Sequence, residues 1–212
     1  MAYLGTIFDF NGVLWWDSHL QEQAWREFAR QQFGALLTGE IMAVEVHGRN
    51  NQHTLEFLAG GPLDQQQVKQ FSNQKEMLYR KLCLAEGDGF RLSSGAVDLL
   101  DALKAAEVPR TIATASGHDN LLFFIDQLQL ERWFDPDLIL CDDGIRPGKP
   151  APDIYLQSAY RIGLAPGECV VVEDSMAGIC PRASEKALTS VFKTYPKFAG
   201  MMTFKTKNLI NI

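Results

Sequence analysis

The sequence predicts an α/β protein with a Rossmann-like parallel sheet core and a helical cap inserted after the first strand. Two observations lead to this fold class. Short apolar segments of strand length alternate with helical patterns over most of the chain, which is typical of parallel strands joined by crossover helices. A long interval after the first of these segments carries helical patterns and no convincing strand.

Five segments are predicted to be buried strands because each is short and mostly apolar. They cover residues 3–9, 110–114, 137–140, 169–173 and 189–192. Three helical stripes of apolar residues separate the later strands. The stripes are Ala96, Leu99, Leu100 and Leu103; Leu121, Leu122, Ile125 and Leu128; and Tyr155, Ala159 and Ile162. Ser93 and Ser94 are candidate N-caps of the first of these helices, and Gly163 is expected to end the last.

The interval over residues 19–85 is predicted to be a helical cap domain. Its apolar residues recur at helical spacing, and glycines interrupt it. The recurring residues are Leu20, Ala24, Phe28, Val68, Phe71, Leu78 and Leu82. Residues 1–18 and 86–212 are then expected to form the α/β core domain, and the insert is placed where it can close over the carboxyl ends of the strands.

The composition of the 212 residues excludes several classes of protein. A net charge of −6 and a pI near 5.2, with no cluster of Lys and Arg, argue against binding to nucleic acid. The sequence has no apolar run of membrane-spanning length and no signal peptide, so we expect a cytoplasmic protein with no membrane partner. The four cysteines lack metal-site or disulfide spacing. No feature of the sequence requires an oligomer, so we expect a monomer.

Polar residues follow several of the predicted strands. Asp9 and Thr114 end the first two, and Glu173 and Asp174 end the fourth. Lys149 lies in a loop rich in proline and glycine, which restricts where its ammonium group can point. Because ligands of open parallel sheets bind at the carboxyl ends of strands, we expect these side chains to converge. Adjacent acids at the end of a buried strand are costly without a cation, and Mg²⁺ suits carboxylates together with a phosphate oxygen.

Four segments resemble the four motifs of the haloacid dehalogenase superfamily and follow one another in the family's order. They are Ile-Phe-Asp-Phe-Asn-Gly-Val-Leu at 7–14, Arg-Thr-Ile-Ala-Thr-Ala-Ser at 110–116, Arg-Pro-Gly-Lys-Pro-Ala-Pro-Asp at 146–153 and Val-Val-Glu-Asp-Ser-Met-Ala-Gly at 171–178. An insert after the first motif resembles the subgroup that includes phosphoglycolate phosphatase-like enzymes and β-phosphoglucomutase.

The resemblance implies a role for each matching residue. Asp9 is the expected nucleophile, which attacks phosphorus and forms an aspartyl-phosphate. Thr114, with Ala115 and Ser116 after it, is expected to hold a phosphoryl oxygen, and Lys149 to be the catalytic cation. The expected Mg²⁺ ligands are Asp9, the backbone carbonyl of Asn11, Glu173 and Asp174.

Asn11 departs from the pattern of the family's phosphatases and mutases, in which this position is an Asp that acts as general acid and base. An amide neither donates nor takes up a proton at neutral pH, so we expect attenuated catalysis. His118 or His19 are candidate replacements, because histidine titrates in the useful range. Asn-Gly pairs are also chemically labile, so slow deamidation of Asn11 to an aspartate is an alternative.

The insert and the turn after the second strand supply the candidate substrate-binding residues. Arg49 and Asn51 follow Gly48 in a segment that resembles a motif of the subgroup's caps. The mutase carries an arginine at the position of Asn51, and this departure argues against a mutase. Ser18 and His118 complete the candidates.

Three functions are considered for the chain. The first is a Mg²⁺-dependent phosphohydrolase of a small phosphorylated metabolite. The alternatives are a sugar phosphomutase of the β-phosphoglucomutase kind and a catalytically weak protein that binds a phosphorylated ligand.

Overall fold

The computed structural model describes residues 4–47, 49–149 and 151–174, together with the backbone of 191–192. It divides the chain into two compact units. The α/β unit comprises Met1–Trp16 and Arg91–Ile212, and the helical unit comprises Asp17–Phe90.

The α/β unit is built on a parallel sheet whose described strands lie in the order β3-β2-β1-β4-β5. The strands are β1 (Gly5–Phe8), β2 (Arg110–Gly117), β3 (Leu140–Asp142), β4 (Cys169–Val172) and β5 (Val191–Phe192). Strand β1 lies between β2 and β4, and Ile7 is in register with both Thr111 and Val171. The predicted α/β class is therefore confirmed.

Three helices lie on the connections between β1 and β4, as parallel pairing requires. They are α5 (Ala96–Ala105), α6 (His118–Gln127) and α7 (Asp153–Arg161), with 3₁₀ turns at Leu130–Arg132, Pro136–Leu138 and Pro166–Glu168. One part of the core joins α7 to the sheet. It contains Ile7, Ala113, Leu140, Ile154, Tyr155, Ala159, Cys169 and Val171.

The helical unit contains α1 (Ser18–Phe33), α2 (Gly39–Ile41), a π-helical segment (Met42–Val46), α3 (Asn51–Ala59) and α4 (Gln65–Ala85). A 3₁₀ turn at Gly87–Gly89 follows α4. Its buried cluster comes mainly from α1, the π-helical segment and α3. The cluster contains Trp25, Phe28, Ala29, Leu37, Met42, Val46 and Leu55. In the described part of the chain, no helix combines the length and the apolar character that crossing a bilayer requires.

The structure corrects one predicted strand boundary and one predicted helix N-cap. Residues 136–138 form a 3₁₀ turn rather than the start of β3, because Pro136 begins the turn and the Asp135 carboxylate accepts a hydrogen bond from the Asp137 amide at 3.0 Å. The N-cap of α5 is Gly95, since the hydroxyl of Ser93 instead donates to the carbonyl of Val13 at 2.7 Å.

The buried face of two helices also differs from the expected stripe. In α6 the buried apolar residues are Leu121 and Phe124, whereas Leu122 is 51% exposed. Phe124 stacks on Phe10 with ring centroids 4.4 Å apart, and this contact orients the helix. In α4 the buried residues are Lys75, Tyr79 and Cys83.

Candidate active site

Asp9 leaves the end of β1 at the centre of the sheet. Its backbone N–H donates to the carbonyl of Val172 at 2.9 Å, which continues the pairing of β1 with β4 by one residue. The amide of Phe10 donates to the Asp9 Oδ1 at 2.8 Å. Asp9 is only 7% exposed, so its carboxylate is presented from a buried position.

A tight turn follows Asp9. Gly12 adopts a φ of 78°, its N–H donates to the carbonyl of Trp15 at 2.7 Å, and Asn11 pairs with Trp15 in a β-bridge. A Cβ atom on Gly12 would collide with the carboxylate of Asp174. This turn therefore needs glycine for two reasons, its backbone conformation and the closeness of Asp174.

The end of β2 reaches the same turn. Thr114 is buried, and its hydroxyl accepts a hydrogen bond from the amide of Ser116 at 3.1 Å. The hydroxyl of Ser116 donates to Asn11 Oδ1 at 2.7 Å, although the two residues are 105 positions apart. Ala115 is exposed beside them. The first two motifs are thus joined by a direct side-chain contact.

Lys149 lies between two carboxylates. Its Nζ is 3.1 Å from Asp9 Oδ2 and 2.7 Å from Glu173 Oε2, and it lies 5.2 Å from the centre of the Tyr155 ring. The side chain is 10% exposed. Such a buried ammonium group is tolerable because both neighbours carry the opposite charge.

Arg146 holds the loop that carries Lys149. Its guanidinium donates to the carbonyl of Cys141 at 3.1 Å, to Gln157 Oε1 at 3.0 Å and to Asp143 Oδ2 at 3.0 Å. These bonds connect β3, the loop and α7, and they limit the positions that Lys149 can take.

Glu173 and Asp174 follow β4. Glu173 is fully buried, and the hydroxyl of Tyr155 donates to the same Oε2 atom that Lys149 contacts. One carboxylate oxygen each from Asp9, Glu173 and Asp174 lies within 4.8 Å of the others. An all-oxygen set of this size fits a hard divalent cation such as Mg²⁺.

Burial and neighbouring charges shift the proton affinities of the cluster. Burial, with a smaller contribution from Glu173, raises the pKa of Asp9 to about 7 despite the opposing effect of Lys149. Burial by itself would lower the pKa of Lys149, but Asp9 and Glu173 outweigh it and the pKa lies above its ordinary value. A divalent cation beside Asp9 would favour the carboxylate and lower its pKa again.

The remaining candidates belong to both units. His118 is exposed at the first position of α6. Ser18 is exposed at the start of α1 in the helical unit. In that unit, Arg49 donates through Nε to the carbonyl of Val44 at 3.1 Å, and Asn51 donates through Nδ2 to Glu76 Oε1 at 3.0 Å. His19 Nε2 is 3.9 Å from Glu86 Oε2.

Sequence reasoning missed two residues of the α/β unit that support the cluster. Tyr155 fits an apolar helical stripe, which predicts a core position, and its hydroxyl gives no periodic signal. Arg146 lies in the third of the four motifs, and the sequence assigns it no role. The sequence does offer one clue to both residues, because they lie on either side of the proline- and glycine-rich loop that carries Lys149.

The chain is similar to known proteins over most of its length. A family model for haloacid dehalogenase-like hydrolases matches residues 5–180. Hexitol phosphatase A of Escherichia coli K12 is 29% identical over 179 residues, which cover 84% of this chain and 78% of that protein. Fructose-1-phosphate phosphatase YqaB of the same organism is 26% identical over 179 residues, covering 84% and 89%.

A solved structure extends the likeness to nearly the whole chain. The HAD hydrolase, family IA, variant 3, of Entamoeba histolytica superposes with a TM-score of 0.83 at 30% identity, covering 98% of this chain and 99% of that one. Because the family model covers most of the chain and the four matching motifs lie on it in order, the chain belongs to the haloacid dehalogenase-like hydrolase family.

Proposed function

We propose that this chain is a Mg²⁺-dependent phosphohydrolase that removes the phosphoryl group of a small phosphorylated sugar or sugar alcohol through an aspartyl-phosphate on Asp9. The cluster of Asp9, Glu173 and Asp174 with Lys149 is the observation that carries this proposal. The substrate class is taken from the two relatives, which are phosphatases of a hexitol phosphate and a fructose phosphate by name.

The charges of the cluster support a cation. Three carboxylates lie together, and one ammonium group contacts two of them. A phosphate monoester would bring about two more negative charges. Repulsion between like charges about 4 Å apart amounts to several kcal/mol at an intermediate dielectric. Mg²⁺ held by Asp9, Glu173, Asp174 and the backbone carbonyl of Asn11 would offset two charges and draw a phosphoryl oxygen towards the nucleophile.

The protein groups around Asp9 then have separate tasks. Asp9 attacks phosphorus, and Lys149 neutralises part of the charge that accumulates on the transferred group. Thr114, with the backbone amides that follow it, would hold a phosphoryl oxygen in line for attack. Asn11 keeps the turn in place but cannot transfer a proton, so turnover of alkyl esters is expected to be slow.

Phosphate release from a set of hexose and hexitol phosphates tests the proposal. We expect release that requires Mg²⁺ and stops with EDTA. Asp9→Asn should abolish it, while Asp98→Asn, an exposed carboxylate in the first turn of α5, should leave it unchanged. Release that persists in Asp9→Asn would refute Asp9 as the nucleophile.

A binding measurement separates metal affinity from turnover. Calorimetric titration with Mg²⁺ should give a clear binding isotherm for the native chain and for Asp98→Asn. Asp174→Asn should weaken binding by about tenfold or more, because one of three anionic ligands is lost. Equal affinity in all three proteins would refute the proposed metal site.

A further inference from the structure

We infer that this site accepts phosphoryl donors whose leaving group departs without taking up a proton, acyl phosphates above all, and that it retains the phosphoryl group on Asp9. The inference rests on the proposed function, since it requires Asp9 to be the nucleophile. It goes further by naming the bond that is cleaved readily and the step that is slow.

The first support is the fixed amide of Asn11. The hydroxyl of Ser116 donates to Asn11 Oδ1 at 2.7 Å, and the Ser116 amide is itself bound to Thr114 at 3.1 Å. The side chain that occupies the position of the family's general acid is therefore an ordered amide. An amide has no proton to give to a leaving oxygen and takes none from water at neutral pH.

The second support is that the amide is protected from conversion to a carboxylate. Deamidation would require the Gly12 nitrogen to attack Cγ of Asn11. That N–H instead donates to the carbonyl of Trp15 at 2.7 Å, and the Asn11–Trp15 bridge restrains the turn. The folded chain is therefore expected to retain the amide despite its labile Asn-Gly sequence.

The third support is the engagement of the proton-bearing side chains in the carboxylate cluster. Lys149 contacts both Asp9 and Glu173, and the hydroxyl of Tyr155 donates to Glu173. His118 is exposed at the start of α6. Lys149 and Tyr155 are thus engaged by the carboxylates of the cluster rather than by Asn11.

The chemistry of the first step follows from this arrangement. An Asp9 carboxylate oxygen attacks phosphorus, a new P–O bond forms, and the bond from phosphorus to the leaving oxygen breaks with its electron pair. From an acyl phosphate the leaving group is a carboxylate, whose conjugate acid has a pKa of about 4, so no proton is needed. From a sugar phosphate it is an alkoxide, which needs protonation worth about 10²- to 10⁴-fold in rate.

The second step has the opposite requirement. Water must attack phosphorus of phospho-Asp9, its proton must be removed, and the electron pair of the broken bond returns to the Asp9 carboxylate. The products are inorganic phosphate and the free enzyme, and the proton passes to solvent. Because Asn11 cannot accept that proton, the hydrolysis of phospho-Asp9 is also slowed by about 10²- to 10⁴-fold. With an acyl phosphate, whose first step needs no acid, phospho-Asp9 therefore accumulates.

Rapid-quench experiments with acetyl phosphate and a hexose 6-phosphate test the inference on three proteins in Mg²⁺: the native chain, Asn11→Asp and Asp9→Asn. With acetyl phosphate, the native chain should gain about one phosphoryl group per molecule by intact-protein mass, and hydroxylamine should remove it. Asp9→Asn should gain none. The phosphoenzyme should decay about 10²-fold or more faster in Asn11→Asp than in the native chain.

The ratio of the two donors gives an independent readout. The rate of phosphorylation by acetyl phosphate relative to the hexose phosphate should be about 10²-fold or more higher for the native chain than for Asn11→Asp. If Asn11→Asp hydrolyses the hexose phosphate but the native chain shows the same ratio or no phosphoenzyme, the inference is wrong and the proposed function stands. If neither protein is phosphorylated and neither releases phosphate, the proposed function fails, and the inference fails with it.

Discussion

At the scale of single residues, the geometry of the acidic cluster depends on a glycine. Gly12 has a φ of 78° and lies so close to the Asp174 carboxylate that a Cβ atom would collide with it. The position of one candidate metal ligand is therefore set by a residue that carries no functional group. A side chain at position 12 would have to displace Asp174 or the turn.

Gly12→Ala is expected to weaken Mg²⁺ binding by about tenfold or more, because the methyl group displaces Asp174 from the oxygen cluster. Isothermal titration with Mg²⁺ measures the effect. Gly60→Ala is the matched control, since Gly60 has a similar φ of 74° and nothing within 4 Å of its would-be Cβ. If both variants bind Mg²⁺ as tightly as the native chain does, the close approach of Gly12 to Asp174 is not needed for Mg²⁺ binding.

At the scale of elements, α4 shows how a polar side chain can be part of a helix interface. The Lys75 side chain is 2% exposed, yet its Nζ is 2.7 Å from Glu76 Oε1 and 2.9 Å from Gln21 Oε1. It also lies 5.0 Å and 5.5 Å from the ring centres of Trp25 and Tyr79. These contacts join α4 to α1, because Gln21 and Trp25 belong to α1.

Lys75→Met should therefore destabilise the chain by about 1–3 kcal/mol, because the charge-assisted bonds and the cation–π contacts are lost while the buried volume is kept. Urea unfolding measures the change, and Lys81→Met, an exposed position on the same helix, is the control. A variant as stable as the native chain would show that packing of the lysine stem, rather than its charge, holds the two helices together.

At the scale of the whole molecule, the parallel sheet brings distant segments together. Because β2, β1 and β4 are adjacent and run in the same direction, the residues after them lie at one edge of the sheet. The consequence is a buried concentration of negative charge that folding must accommodate. Burial, together with the charge of Glu173, disfavours the ionised form of Asp9 and raises its pKa.

The pKa of Asp9 predicts how the cation-free chain responds to pH. The pKa is about 7 in the folded chain, against an ordinary value of 3.8, so the folded state holds the proton more tightly than the unfolded state. This contribution to stability is fully present below about pH 4, is lost as the pH rises towards about 7, and changes little above that. Urea unfolding in EDTA at a series of pH values measures the decline.

The cation should reverse this trend, because Mg²⁺ binds the ionised carboxylate and stabilises the folded state by mass action. With excess Mg²⁺, stability should rise over the same range of pH. Asp9→Asn lacks the titrating group and should show a flatter profile in EDTA. A stability that rises with pH in EDTA for the native chain would contradict the assigned shift of Asp9.

The amino-acid sequence by itself determined the fold class and the approximate positions of the strands, because apolar periodicity and turn residues act locally. It indicated the family through the resemblance of its four motifs. It also singled out Asp9, Glu173 and Asp174, because polar residues at the ends of apolar strands stand out, and Lys149, because it lies in a loop rich in proline and glycine. The catalytic and binding roles of these residues stay predictions.

Only the tertiary structure decided which side chains touch. The bond of Ser116 to Asn11 spans 105 positions, and that of Tyr155 to Glu173 spans 18. Neither contact leaves a periodic signal in the sequence, and Tyr155 fits an apolar stripe as well as it fits a polar contact. A change of a few tenths of an ångström in the distance between two elements can make or break a side-chain hydrogen bond. Packing of the whole sheet and its helices sets that distance.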